Sequence, residues 1–192
     1  TDIAIVTKTG GVGAASLNYV NSRPRDGYTV FALLPGHLMT IARGKSPVGL
    51  DEIVTLVRVC NYANLLFVRG NSPFKTAQDL VAEGKKRKVK SAGSHVGAVD
   101  HIAIFLFAKR AGMKQPLYVP YKGGAGAITS LIAGDVEFAV GNLSEAEYKM
   151  ESGDVRPVVV LAKERLKALP DVPTSFELGI NAGSSVLRGL GV

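Results

Sequence analysis

Short apolar runs alternate along this chain with stretches patterned for helices, and that alternation restricts the fold more than any other feature. It is the signature of βαβ units and a largely parallel sheet, hence an α/β fold. Candidate strands are 3–7, 29–33, 64–68, 88–92, 117–119, 136–140 and 158–161. Between them, Val99, Ile102, Ala103 and Leu106 follow an i, i+3, i+4, i+7 stripe, and Gly112 is placed as the stop. Thr76 and Asp79 make a weak capping-box pattern ahead of a helix at 77–84. These stripes read as core faces.

The segment 119–140, "VPYKGGAGAITSLIAGDVEFAV", reads as strand, turn, helix and strand, with no Asp, Glu, His or Cys in the turn. Its chemistry is therefore what its backbone can do. A helix entered near Ala125 or Gly126 presents unpaired N–H groups and a positive dipole end, which suit a carboxylate or phosphate. Gly123, Gly124 and Gly126 allow positive φ and close approach of a ligand. The competing reading is a tight strand-to-helix turn that binds nothing. A P-loop is excluded, because the glycines run into Ala127, Ile128 and Thr129 rather than Gly-Lys-Ser/Thr. A dinucleotide fingerprint fails too: Thr129 stands where a small residue is needed, and Glu145 lies on a helical stretch rather than at a strand end.

Two more strand ends share this character. "SAGSHVGAVDH" offers Ser91, Gly93, Ser94 and Gly97, and "ALLPGHLMT" offers Gly36, His37 and Thr40. Ligands of open α/β sheets sit beyond the carboxyl ends of strands, so three such loops are expected to line one anion cleft.

Composition narrows the function classes. Of 192 residues, 46% are hydrophobic and 20% charged, as in ordinary globular proteins. No apolar run approaches the ~20 residues of a membrane span, and no signal-peptide pattern is visible at the start of the sequence. Cys60, within "LVRVCNYANLLFV", reads as a small core residue without a catalytic partner. His37, His95 and His101 are spaced against a shared metal site, so neither a metal nor a cofactor is expected. Asp100 and His101 adjoin a cleft loop but point about 100° apart on a helix. No nucleophile, base and electrophile converge, so no catalytic residue is assigned and an enzyme is not expected. The net charge of +7 favours anionic partners. Part of it sits in "KKRKVK", 85–90, where no aromatic residue interleaves the run. That stretch reads as a solvated helix end rather than a nucleic-acid surface.

The stretches "YVPYKGGAGAITSLIAGDVEFAVGNLSEA" and "VRPVVVLAKERLKALPDVPTSFELGI" closely resemble the substrate-binding receptors of tripartite tricarboxylate transporters, the Bug family. "RPRDGYTVFAL", "GSHVGAVDHIAIFLFAKRAG" and "LRGLGV" extend the likeness over nearly the whole chain, while "VTKTGGVG" departs from the family's "NRPGAGG" stretch. The resemblance implies a two-domain, Venus-flytrap fold like that of type II periplasmic binding proteins, with mixed or mostly parallel sheets. Domain one would hold 1–67 plus 159–192, incomplete, and domain two 68–158 as a complete insert, the two crossings making a hinge. It implies a periplasmic receptor that binds a small carboxylate and passes it to a membrane permease. An anion-sensing or enzyme-associated module of the same fold is the alternative. One half of the carboxylate clamp would match Tyr121, Lys122, Gly123, Gly124, Ala125, Gly126 and Ala127. Gly93, Ser94, His95, Gly36, His37 and Asn142 complete the candidate set. By the same resemblance a first strand and loop would precede this sequence and final helices follow it. The expectation is a chain shortened at both ends, binding ligand weakly or not at all and pairing as a homodimer through the shortened domain.

Overall fold

Leu65, Leu66, Phe67 and Val68 have no solvent exposure at all. Such a continuous apolar run suits a strand covered on both faces, and in the computed structural model, described over residues 2–192, it forms the interior of a five-stranded sheet. Numbered along the chain, the strands are β1 (Phe31–Leu33), β2 (Thr55–Ala63), β3 (Leu65–Arg69), β4 (Lys90–Gly93), β5 (Leu117–Pro120), β6 (Phe138–Gly141), β7 (Val155–Val160) and β8 (Ser185–Gly191). The helices are α1 (Ala14–Asn21), α2 (Pro35–Ala42), α3 (Ala77–Lys86), α4 (Val99–Arg110), α5 (Gly124–Ala133) and α6 (Leu143–Glu151).

Two compact units divide the chain: one runs to Asn61 and resumes at Val186–Val192, the other is Tyr62–Ser185. In the larger unit the strand order is β5-β4-β6-β3-β7. β4 is parallel to β5 and to β6, while β3 is antiparallel to β6 and to β7. The sheet is therefore mixed. Alternate side chains send Leu66, Val68, Phe138 and Val140 toward Leu80 of α3 and Ile104 and Phe107 of α4. Leu65, Phe67 and Ala139 face Ala127, Ile128 and Leu131 of α5 and Ala146 of α6. Two helical layers thus cover the sheet.

The smaller unit carries a sheet of order β1-β8-β2 and a modest core of Leu17, Phe31 and Leu33. β1 and β8 are antiparallel, with Phe31 opposite Gly191.

Several expectations shift. Residues 3–7 form no strand; Ile3 and Ile5 are 87% and 92% exposed, and a strand without a pairing neighbour leaves its backbone groups to water. β2 and β8 were not anticipated. The crossings expected at 67/68 and 158/159 fall inside β3 and β7, whereas the units divide at 61/62 and 185/186, because β3 and β7 pair with each other. Cys60 is half-exposed on β2 rather than in a core.

Candidate functional site

β4, β5 and β6 are adjacent and parallel, with Gly93 opposite Pro120 and Ala92 opposite Ala139, so their carboxyl ends lie level. Each strand runs directly into a helix start: β4 into α4, β5 into α5, β6 into α6. Three positive helix ends therefore share one end of the larger unit's sheet, where unpaired first-turn amides accumulate.

The β5–α5 turn is the most open of the three. Gly123, the N-cap, has φ +91°, brings no side chain to close the first turn, and has nothing within 4 Å of where a Cβ would stand. Its N–H donates to the Tyr121 carbonyl at 3.0 Å, which folds Lys122 outward into solvent. Ala125 is exposed in the first helical turn, which contains no acidic residue. Gly124 differs: it is buried, and a Cβ there would fall on the Glu145 carboxylate. Glu145 accepts the Asn142 N–H at 2.9 Å and so caps the start of α6, with its carboxylate beside Gly124 at the start of α5. The Asn-x-x-Glu spacing at 142–145 carries this capping signal in the sequence; its contact with Gly124 does not show there.

The β4–α4 loop is held from three directions. Ser94 N–H donates to Asp100 Oδ2 at 2.8 Å, Tyr118 Oη donates to the Ser94 carbonyl at 2.6 Å, and Gly97 N–H donates to His101 Nδ1 at 3.2 Å. Tyr121 N–H donates to the Gly93 carbonyl at 2.9 Å, joining this loop to the neighbouring turn. Asp100 and His101 thus shape the loop. The Ser94 amide is taken by Asp100. His101 packs its ring against Tyr118, centroids 4.4 Å apart, and burial holds its pKa below the usual value. Burial, then the Asp100 charge, pushes the Tyr118 hydroxyl upward. His95 is exposed, and Asn142 is buried at the N-cap of α6.

Tyr121 to Ala127, Gly93 to His95 and Asn142 therefore gather at one end of one sheet. Gly36 and His37 belong to the other unit, in the first turn of α2. His37 is 3% exposed and both ring nitrogens are engaged: Leu34 N–H donates to Nδ1 at 3.0 Å, and Nε2 lies 2.7 Å from Ser16 Oγ. Nδ1 accepts, so in the neutral ring the proton sits on Nε2 and points at Ser16. Ser16 in turn donates to the Gly13 carbonyl at 2.8 Å. The pair resembles a nucleophile with its base, but the tautomer is the wrong one to take a proton from serine. Among the described residues no three His, Cys, Asp or Glu side chains gather as a metal site, and no helix is long and apolar enough to cross a membrane.

Helix starts ranged beyond the ends of parallel strands, in a chain of two α/β units, are the arrangement of the periplasmic-binding-protein fold. A TctC solute-binding protein from Polaromonas superposes with a TM-score of 0.79 at 25% identity, over 97% of this chain and 65% of that one. An R. palustris protein solved with adipate superposes at 0.84 with 26% identity, over 94% and 62% respectively. Residues 2–190 match the tripartite tricarboxylate transporter family receptor, TctC, and the chain belongs to that family. Protein BugT of Bordetella pertussis is 26% identical over 185 residues, 92% of this chain and 56% of BugT. The chain spans about half the length of the curated relatives it matches.

Proposed function

We propose that this chain acts as an extracytoplasmic receptor that captures a small carboxylate and delivers it to the membrane permease of a tripartite transporter. The observation that carries this reading is the convergence of the α4, α5 and α6 starts at one sheet end, with the glycine turn of α5 open to solvent. Backbone amides there bind a carboxylate through charge-assisted hydrogen bonds and need no catalytic group. The adipate held by the R. palustris relative points to dicarboxylates as the first class to try.

A variant that separates binding from folding follows from Ala125, which is exposed in the first turn of α5. Ala125→Glu puts an internal carboxylate at the helix start. It complements the dipole, adding about 0.3–1 kcal/mol to stability, while competing for the amides. Unfolding temperatures are read against a panel of di- and tricarboxylates, aromatic acids and amino acids. A carboxylate raises the transition of the unaltered chain, by about 2.7 kcal/mol of stabilisation at a hundredfold excess over Kd. The Ala125→Glu chain keeps its own transition and loses that response. An undiminished response in the variant removes the α5 turn from the binding site.

A further inference from the structure

The carboxyl ends of α3 and α4 meet at the amino end of β4 and β5, at the opposite end of the sheet from the strand-end loops. Lys114 ties them together, its N–H donating to the Gly84 carbonyl at 2.8 Å and its Nζ to the Lys86 carbonyl at 2.6 Å. Lys85 lies across the end of α4, its Cε 3.7 Å from where a Cβ would stand on Gly112. The fold thereby adds Lys109, Arg110 and Lys114 to Lys85, Lys86 and Lys88, and all six are exposed. The neighbouring acids are already used: Glu83 pairs with both Lys86 and Arg87, and Glu137 with Arg87. Among the described residues no carboxylate pairs with Lys85, Lys88, Lys109 or Arg110.

Cations in a last helical turn complement the dipole, which accounts for one or two at each end. Six gathered at two helix ends and in the segments that follow them repel one another, and such a field favours an anionic partner. We propose that this basic end of the larger unit docks on an anionic phospholipid surface. The cations stand on flexible stems over two helix ends, and the 85–90 run holds no aromatic residue on which bases would stack. Clusters of about four to eight Lys and Arg suit an anionic bilayer. Leu117, 48% exposed at the start of β5, supplies an apolar group beside them for the interface. Docking here leaves the strand-end loops of the same unit clear, and the proposal stands independently of which ligand they take.

The test is cosedimentation of the whole chain with vesicles of about 30% phosphatidylglycerol in phosphatidylcholine, at about 50 mM and about 500 mM salt. Binding at low salt, loss at high salt and no binding to pure phosphatidylcholine are expected. The triple variant Lys85→Gln, Lys109→Gln, Arg110→Gln lowers partitioning about a hundredfold, from about fivefold per charge. The triple variant Lys45→Gln, Lys163→Gln, Lys167→Gln removes the same charge elsewhere on the exposed surface and stays within about twofold of the unaltered chain. Equal loss in both variants reduces the effect to net charge and overturns the patch. Failure to bind acidic vesicles at low salt, or tighter binding to duplex DNA than to vesicles in the same buffer, overturns the lipid assignment.

Discussion

At Gly124, the first residue of α5, the space a Cβ would fill holds the Glu145 carboxylate. Gly124→Val therefore disturbs the fold as well as any ligand, unlike a substitution at exposed Ala125. A loss of about 1–3 kcal/mol, typical of overpacking, is expected from the urea midpoint. The glycine turn was legible in the sequence; its contact with Glu145 was not, because Glu145 reaches it only through the packing of α6. His37 carries a similar lesson. Its position after a strand suggested a ligand contact, while burial and the Leu34 and Ser16 bonds make it internal. Burial lowers the pKa of His37, and of His101, below the ordinary value of about 6.5. Between the lowered folded value and the unfolded one the unfolded chain binds more protons, so stability is complete above pH ~6.5 and falls as pH drops below it. The urea midpoint is expected to decrease from pH ~7.5 to ~5.5. His37→Gln and His101→Gln should each flatten part of that slope, and an unchanged slope in both would remove the histidines as its source.

Elements were most readable where their ends carry chemistry. Asp79 N–H donates to Thr76 Oγ1 at 3.2 Å and Thr76 N–H to Asp79 Oδ2 at 2.9 Å, the reciprocal box the spacing suggested at the start of α3. Thr76→Ala should cost about 1 kcal/mol, read from the denaturation midpoint. Gly112, with φ +69°, does follow the end of α4. The face of α4 was misjudged: Ala103, Ile104, Phe107 and Ala108 are buried, while Ile102 is 48% exposed. A helix apolar around most of its circumference gives periodicity little with which to choose a side. β3, β4, β5, β6 and β7 each overlap an anticipated strand. β2 and β8 escaped notice for a physical reason, since neither shows clean alternation: Leu56, Val57 and Val59 of β2 are 53%, 49% and 64% exposed, on both faces. Pattern reading finds strands through the face they bury.

On the scale of the whole chain, the α/β class was readable; the alternation suggested a largely parallel sheet where the sheet is mixed, and the unit boundaries were not readable. Alternation locates strands, but a boundary depends on which strands pair, and β3 pairs on both sides within the larger unit. Cutting at 67/68 would split the middle of that sheet. The two units also differ in what holds them. Around the five-stranded sheet, Leu65, Leu66, Phe67, Val68, Phe107 and Phe138 are completely buried, each such side chain contributing about 1.5–3 kcal/mol against exposure. The smaller unit buries Leu17, Phe31 and Leu33, while Val54, Leu56, Val59 and Tyr28 remain largely in water. Local opening is easiest where few apolar contacts shield the backbone. Amide exchange followed by mass spectrometry should therefore show peptides of α1, β1 and α2 exchanging well before those of β3, β4 and β6, with unfolding in more than one step. The effect is largest for β1, whose three residues pair with β8 through Gly189 and Gly191, positions that add no side chain to the core. If β1 were as protected as β3 and a single cooperative transition carried both, the smaller unit would have to draw stability from something other than its own core.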